Sequence, residues 1–191
     1  MNEPLGLEPR TVRVVAYDDR WPDLFAGEAA RVAHAVHAAG LPPLVLEHVG
    51  STSVPGLAAK PILDIAAGYR VGTPAAIHVP ALEQLGYIHR GDGGLPGREF
   101  FRRGELRSHH LHLVELGGVH WTRYLAFRDA LRADPMLRDA YARLKQSLAT
   151  RFPRDRESYI AGKTEFVERV LRAAGAGAAD DVTPSQGEGR S

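Results

Sequence analysis

The spacing of apolar residues predicts a strand, a helix and a second strand in the first quarter of the chain. Residues 11–17 (TVRVVAY) and 44–49 (LVLEHV) are rich in β-branched residues, which is typical of strands. Between them, apolar residues recur at helical spacing to about Ala39. Pro22 suits the first turn of that helix, and Gly40 suits its end.

The middle of the chain alternates between extended and glycine-rich stretches. Residues 61–69 (PILDIAAGY) are apolar enough to form a central strand of a sheet. Residues 98–104 (REFFRRG) and 109–116 (HHLHLVEL) alternate like the two strands of an antiparallel pair. Further predictions are a helix over 74–86, an extended segment over 86–91 and a flexible loop over 91–97.

Helical spacing dominates the last third. Helices are predicted over about 121–133, 136–150 and 156–174, with breaks at the intervening prolines. Residues 1–10 predict a flexible arm, residues 11–174 a single domain, and residues 175–191 a disordered tail. The predicted fold class is therefore α+β, a mixed β-sheet flanked by helices and closed by the helical C-terminal third.

The amino-acid composition limits which binding partners and which kinds of metal site are expected. Apolar residues make up 44% and charged residues 25%, and the net charge of +1 gives no reason to expect a nucleic-acid or membrane partner. No cysteine is present, so a metal site would have to use histidines and carboxylates. Neither a signal peptide nor a long apolar run is evident, and a cytoplasmic location is the expectation.

The segment from Glu47 to Asp64 contains the main candidates for anion and metal binding. Gly50 lets backbone N–H groups approach an anion, while Ser51 and Thr52 add hydroxyl donors and Lys60 adds a point charge. Asp64 interrupts an apolar strand, and Mg²⁺ shared with substrate phosphates would compensate a buried carboxylate there. The alternative is a tight turn in which Asp64 is tied to an arginine or a backbone amide.

The string HVGSTSVPGLAAKPILDI (48–65) resembles the signature of the GrpB family, which belongs to the nucleotidyltransferase-fold superfamily. The resemblance extends through VVAYDDRWPDLF (14–25), HHLHLVE (109–115) and RFPRDRESYIAGKTEFV (151–167), and covers roughly residues 12–172. Some actinobacterial members of the family are fused to dephospho-CoA kinase. That fusion implies an accessory role as one possibility.

The resemblance implies a Gly-Ser turn, then a strand bearing Asp-x-Asp, then a further carboxylate on a later strand, which together hold divalent ions. Gly50 and Ser51 match the turn, and Asp64 matches the first, catalytic carboxylate. The second carboxylate is replaced by Ala66, which departs from the pair that a two-metal mechanism requires.

His110 and His112 lie on one face of the predicted strand 109–116 and offer replacement ligands. With Asp64, and with Glu47 as a further candidate, they would form a site suited to Zn²⁺, Mn²⁺ or Fe²⁺ better than Mg²⁺. The alternative is a set of packing or surface histidines, with Glu47 an exposed carboxylate.

Three further cations are candidates for phosphate binding. Arg98 and Arg102 share a strand face and would reach a triphosphate or carboxylate, unless that face is simply solvated. Superfamily enzymes often place a helical cation against the nucleotide phosphates, which makes Lys163 a candidate.

The sequence therefore predicts a nucleotidyltransferase-like enzyme that binds ATP or another nucleoside triphosphate with a divalent metal (Mg²⁺, Mn²⁺ or Zn²⁺). Its acceptor would be a phosphorylated small molecule. Two alternatives stay open: a non-catalytic metal- and phosphometabolite-binding or accessory module, for instance in coenzyme A metabolism, and a metal-dependent hydrolase or ligase. A protein partner is possible and unidentified.

Overall fold

A computed structural model of the chain describes residues 4–8 and 10–177. Its centre is a single five-stranded sheet in the order β1-β2-β5-β4-β3. The central pair, β2 and β5, is parallel, and the other neighbouring strands are antiparallel. The strands are β1 (Val45–Val49), β2 (Leu63–Tyr69), β3 (Tyr87–His89), β4 (Arg98–Arg103) and β5 (His109–Glu115).

Five α-helices flank the sheet, so the fold is α+β with a mixed sheet, as predicted. Their bounds are α1 (Trp21–Ala38), α2 (Val79–Gln84), α3 (Val119–Ala133), α4 (Pro135–Arg151) and α5 (Arg156–Ala173). Asp134 caps α4 by accepting hydrogen bonds from the N–H groups of Met136 and Leu137, and Asp155 caps α5 through Ser158. These caps stand at the breaks that the sequence predicted between the last three helices.

The two faces of the sheet have different neighbours. One face carries the largest apolar core, in which Ile65, Leu111 and Phe101 pack against Val32 and Val36 of α1. The other face turns toward α3, where Ala66 and Val114 pack with Trp121. Alternation along each strand places Asp64, His110 and Arg102 on this second face, because paired residues in a sheet point to the same side.

Two predicted elements differ in the structure. Residues 11–17 do not form a strand of the sheet, since only Val15 makes a bridge, to Ala59, and β1 is already the edge strand. The predicted helix over 74–86 divides into a 3₁₀ segment, Ala75–His78, followed by the short α2, because Pro80 fits only the first turn of an α-helix.

The predicted flexible arm is packed where it is described. Leu7 is 3% exposed, its N–H donates to the carbonyl of Leu106, and the N–H of Gly6 donates to the carbonyl of Pro61. Apolar burial and backbone pairing hold this segment, which its proline and glycine content did not indicate. At the other end, Ala176 is buried, and the predicted tail from residue 178 onward lies outside the described residues.

No helix within residues 4–8 and 10–177 is long and apolar enough for a transmembrane span.

Candidate functional site

The register of the sheet brings the predicted site residues together on the second face. Asp64 of β2 pairs with His110 of β5, and His110 pairs with Arg102 of β4. Two residues along, Ala66, His112 and Phe100 form the next row. The sequence predicted that His110, His112 and Asp64 would converge, and they lie side by side.

Gly50 brings the turn after β1 against the Asp64 carboxylate. Its φ of 69° lies in the left-handed region, and a Cβ atom at this position would come within 2.6 Å of Asp64 Oδ2. The 3₁₀ turn Ser51–Ser53 follows directly. The first N–H groups of a helical turn have no partner within the turn, so this segment presents donors beside the carboxylate.

Asp64 is held by two histidines through one oxygen. His110 Nδ1 lies 3.0 Å from Asp64 Oδ1, and His112 Nε2 lies 3.6 Å from the same atom. The guanidinium of Arg98 can only donate, and its Nη1 lies 3.3 Å from His112 Nδ1. His112 Nδ1 is therefore the acceptor, which places the His112 proton on Nε2, toward Asp64.

The charges of this group follow from burial and hydrogen bonding. Burial acts to raise the pKa of Asp64, but the hydrogen bond from His110 and the nearby imidazole of His112 outweigh it and lower the pKa, so the carboxylate is ionised. Burial lowers the pKa of His110 despite the neighbouring carboxylate, so the imidazole is neutral at pH 7. Because ionised Asp64 only accepts, the single proton of neutral His110 is on Nδ1 and the lone pair is on Nε2.

The metal site predicted from the sequence would use Asp64, His110, His112 and Glu47. When His110 donates its Nδ1–H to Asp64 Oδ1, as the 3.0 Å distance and the ionised carboxylate indicate, that nitrogen offers no lone pair to a metal. Glu47, the fourth candidate, forms an ion pair of 2.6 Å with Arg128 of α3. Among the described residues, no group of three histidines and carboxylates is arranged to hold a metal ion.

A cavity of about 410 Å³ opens between the Gly50–Ser51 turn, Asp64 and the last two helices. Five cationic side chains and one carboxylate line it, so its charge suits an anionic ligand. We call it the lysine cavity, after Lys60, Lys145 of α4 and Lys163 of α5. The other polar lining residues are Asp64, Arg98, His110, Arg156, Ser51, Thr52, Tyr124, Tyr141 and Tyr159.

The lysines lie over tyrosine rings, with Lys145 buried and Lys60 and Lys163 half-buried. Lys60 Nζ and Lys163 Nζ lie 5.4 Å and 4.8 Å from the centre of the Tyr159 ring. Burial lowers the pKa of each of these lysines to about 8. Lys145, 2% exposed, donates to the carbonyl of Ala58 at 2.5 Å, and burial followed by the charges of Lys163 and Lys60 lowers its pKa further. A bound anion would relieve this crowding of positive charge.

The predicted phosphate-binding residues divide into three groups. Gly50, Ser51, Lys60, Arg98 and Lys163 line the lysine cavity. Thr52 also lines it but is 1% exposed, and its hydroxyl, predicted as a phosphate donor, donates to the carbonyl of Ile62 and contacts His48. Arg102 lies in a neighbouring cavity.

Sequence reasoning missed Lys145, Tyr141 and Arg156. A signal for Lys145 was present, because the chain has three lysines among 24 cationic residues and all three line one cavity. Arginine occupies all the other cationic positions, so a lysine in this chain marks a place where a compact charge on a flexible stem is needed.

Ala66 departs from the two-carboxylate pattern in the structure as in the sequence. It is 0% exposed and packs with Val49, Val114 and Trp121. This position is a closed apolar cluster, and no carboxylate substitutes for it, since Glu47, its partner across the strands, is paired with Arg128.

Comparisons with known proteins agree with this architecture. A family model described as GrpB protein matches residues 11–173. A UPF0157 protein of Pseudomonas aeruginosa is 42% identical over 168 residues, which cover 85% of this chain and 67% of that protein. The crystal structure of the conserved protein GrpB from Enterococcus faecalis superposes with a TM-score of 0.74 at 32% identity, over 85% of this chain and 96% of that one.

Two further matches are more distant. A dephospho-CoA kinase of Mycolicibacterium paratuberculosis is 30% identical over 190 residues, and the match covers 85% of this chain and 46% of the kinase. The structure of Cid1 with its short product ApU gives a TM-score of 0.42 at 14% identity, over 72% of this chain and 43% of that chain.

Proposed function

The chain belongs to the GrpB family, and on that premise we propose that it is a nucleotidyltransferase-like enzyme. It binds a nucleoside triphosphate such as ATP in the lysine cavity and transfers the nucleotidyl group to a small acceptor. The observation that carries the proposal is the convergence of Lys60, Lys145 and Lys163 on the Gly50–Ser51 turn. Three amino groups beside one carboxylate, with Lys145 buried and Lys60 and Lys163 half-buried, suit a triphosphate, because each protonated amine gives a point charge to a phosphate oxygen.

The Asp64–His110 pair supplies the base in this proposal. Nδ1–H of His110 donates to Asp64, which leaves the Nε2 lone pair to accept a proton. Nε2 is buried and has no hydrogen-bond partner in the part of the chain that is described. The proton of the acceptor hydroxyl passes to Nε2, the acceptor oxygen bonds to the α-phosphorus, and the bond to pyrophosphate breaks. The lysines neutralise the charge that develops on the departing pyrophosphate.

A divalent ion enters this proposal as part of the substrate. It would arrive bound to the triphosphate, with Asp64 the carboxylate that lines the cavity. The two histidines then position Asp64 and act on the proton. In this proposal they do not serve as ligands of a resident metal.

Thermal denaturation with ligands tests the proposal. We expect ATP, other nucleoside triphosphates and tripolyphosphate to raise the melting temperature, with Mg²⁺ or Mn²⁺ varied separately. Lys145→Met and Lys163→Met should remove most of that increase. Arg143→Met is the matched control, because it removes one charge from an exposed position of α4 outside the cavity. An equal ligand-induced increase in all three variants would refute the proposed site.

A pyrophosphate-release assay distinguishes nucleotidyl transfer from triphosphate binding alone. Release of pyrophosphate from ATP in the presence of candidate acceptors is expected for the wild-type protein. Asp64→Asn, which keeps the side-chain shape, and His110→Gln, which replaces the basic imidazole by a neutral amide, should abolish that release. Binding of triphosphate by His110→Gln should persist, because the lysines are untouched.

A second candidate is a non-catalytic phosphometabolite-binding or accessory module, which two observations favour. Ala66 removes one of the two carboxylates on which nucleotidyl transfer usually depends, and a dephospho-CoA kinase contains a stretch similar to most of this chain. Tight binding of ATP or a coenzyme A precursor without release of pyrophosphate across a broad acceptor panel would favour this candidate over transfer.

A further inference from the structure

A second cavity, of about 420 Å³, lies beside the lysine cavity and shares three lining residues with it, Arg98, His110 and Arg156. Arginines dominate its wall, and we call it the arginine cavity. Its remaining lining residues are Arg90, Gly93, Phe100, Arg102 and His112, with no aspartate or glutamate among them. Four positive charges therefore face one space without a carboxylate.

Several arginines elsewhere in the fold are paired with carboxylates. Arg103 forms an ion pair with Glu28, Arg123 with Glu168 and Arg128 with Glu47. The four arginines of this cavity, in contrast, line one space together without an aspartate or glutamate. Uncompensated charges that crowd together destabilise a folded protein, so such a cluster is expected where an external anion supplies the missing charge.

Arg98 is fixed in place by neutral acceptors. Its Nε and Nη2 donate to the carbonyl of Asp92 at 3.0 Å and 2.8 Å, and Nη2 also donates to the carbonyl of Gly93. A Cβ on Gly93, whose φ is 59°, would come within 2.6 Å of Arg98 Nη2. The loop is thus shaped around a guanidinium whose charge no carboxylate in the described chain balances.

Arg102 packs on the ring of Phe100, as Arg98 does, and its Nε donor has no hydrogen-bond partner among the described residues. The guanidinium groups of Arg98 and Arg102 lie 4.9 Å and 5.4 Å from the centre of the Phe100 ring. Arg102 Nε is buried and has no hydrogen-bond partner among the residues described. Burial first, and then the charges of Arg156, Arg107 and Arg90, lower the pKa of Arg102. An anion in the cavity would accept a hydrogen bond from Arg102 Nε and compensate the positive charge of the arginines.

We propose that the arginine cavity binds the anionic group, a carboxylate or a phosphate monoester, of the acceptor substrate. The planar guanidinium group of arginine can donate two parallel hydrogen bonds to a carboxylate or to a phosphate monoester. Lysine offers only a point charge, so the two cavities differ in the ligand groups that they favour. The volume suits a ligand of metabolite size. His110 lies on the boundary of the two cavities, so an acceptor held by its anionic group presents its hydroxyl near Nε2. This inference rests on the proposed transfer function.

Titration calorimetry with two ligand classes tests the proposal. One is tripolyphosphate, for the lysine cavity, and the other is a panel of small anions: inorganic phosphate, glycerol phosphate, malate and citrate. We expect at least one small anion to bind while tripolyphosphate is saturating. Arg102→Met and Arg90→Met, which change residues of the arginine cavity alone, should weaken that small anion by about 10-fold or more and leave tripolyphosphate affinity unchanged.

Controls separate this inference from the function on which it rests. Arg70→Met removes an exposed arginine distant from the register rows of the site and should leave both affinities unchanged. Competition between tripolyphosphate and every small anion, or an equal loss of both after Arg102→Met, would overturn the second site and make the arginines part of the triphosphate site. Tripolyphosphate binding that survives Lys163→Met would instead overturn the lysine site, whatever the Arg102 result.

Discussion

A methyl group at position 50 would occupy the space that the Asp64 carboxylate fills. Gly50 lies at φ 69° with a potential Cβ 2.6 Å from Asp64 Oδ2. Gly40 has nearly the same conformation, φ 66°, yet no heavy atom lies within 4 Å of its potential Cβ. Alanine at position 40 would therefore test the cost of the backbone conformation alone. Alanine at position 50 would add the cost of displacing the Asp64 side chain.

Gly50→Ala should lower the free energy of unfolding by more than Gly40→Ala. Each substitution places a side chain in the left-handed region at about 1–2 kcal/mol, and Gly50→Ala adds the displacement of Asp64. Urea denaturation measures both, and triphosphate-induced stabilisation should be lost only in Gly50→Ala. Equal effects of the two substitutions on stability and on ligand response would contradict the contact.

Lys60 and Lys163 give stability and ligand binding opposite dependences on pH. Their pKa values of about 8 lie below the ordinary 10.5, so above pH 8 the folded protein loses protons that the unfolded chain keeps. The free energy of unfolding of the ligand-free protein should therefore rise from pH about 8 to about 10. Triphosphate needs charged amines, and its affinity should fall over the same range.

Melting temperatures with and without tripolyphosphate across this pH range provide the measurement. The ligand-free and ligand-bound curves should converge as pH rises. A Lys60→Met/Lys163→Met double variant is the control, since it lacks both amines and should show a flatter ligand-free curve. A ligand-induced increase that grows between pH about 8 and about 10 would be inconsistent with this assignment.

At the scale of elements, α3 is attached to the edge strand β1 through one arginine. Arg128 Nη1 donates to Glu47 at 2.6 Å and to the carbonyl of His48 at 3.0 Å, and Arg128 is 8% exposed. His48 and Val49 lead directly into the Gly50 turn, so this attachment also sets the position of the turn relative to the helices.

Arg128→Met should lower the free energy of unfolding by about 1–3 kcal/mol. The methionine keeps much of the apolar stem but leaves Glu47 and the His48 carbonyl without their donor. Arg138→Met is the matched control, since Arg138 pairs with its neighbour Asp139 on the surface and should change stability by less than about 0.5 kcal/mol. Denaturation curves of the two variants that coincide would exclude this role for Arg128.

The elements that hydrophobic spacing predicted well are those with one buried face. The strand β5 and the helices α1, α4 and α5 lie within a few residues of their predicted bounds, because burial of one face imposes the period on the sequence. Residues 11–17 had strand composition and still failed to join the sheet. Amino-acid composition indicates whether a segment favours an extended conformation. Whether that segment pairs with another strand depends on the rest of the fold.

At the scale of the whole molecule, the lysine cavity joins distant parts of the chain. Lys60 precedes β2, Lys145 lies in α4, and Lys163 lies in α5, while Ser51 of the turn and Tyr141 of α4 line the same cavity. An anion that contacts all three lysines ties the sheet to the last two helices. Binding should therefore slow local opening in each of these segments together.

Hydrogen–deuterium exchange measures this coupling. With tripolyphosphate present, protection should increase in the segments 50–62, 141–149 and 156–167, while α2, which lies on the opposite face of the sheet, should be unaffected. Lys163→Met should reduce the added protection in all three segments. Protection confined to the segment that follows β1 would show that the ligand does not bridge the sheet and the helices.

The sequence predicted the centre of the site better than its perimeter. Asp64, His110 and His112 follow from strand alternation, which is a local property, and their proximity in the structure agrees with that prediction. Their predicted role as metal ligands depended on where each imidazole proton lies, and Arg98 and Asp64 determine that through contacts between strands. Lys145 and Arg156 reach the cavity only through the packing of the C-terminal helices, which no local pattern specifies.

The confinement of all lysines to one cavity has a practical consequence in covalent chemistry. An amine acylates or forms an imine only in its uncharged form, and a pKa of about 8 makes Lys60 and Lys163 far more nucleophilic at neutral pH than surface lysines of ordinary proteins. The remaining cationic side chains are arginines, which do not compete for such reagents. Amine-directed fluorophores or crosslinkers would therefore label the side chains of this one cavity in the unmodified protein.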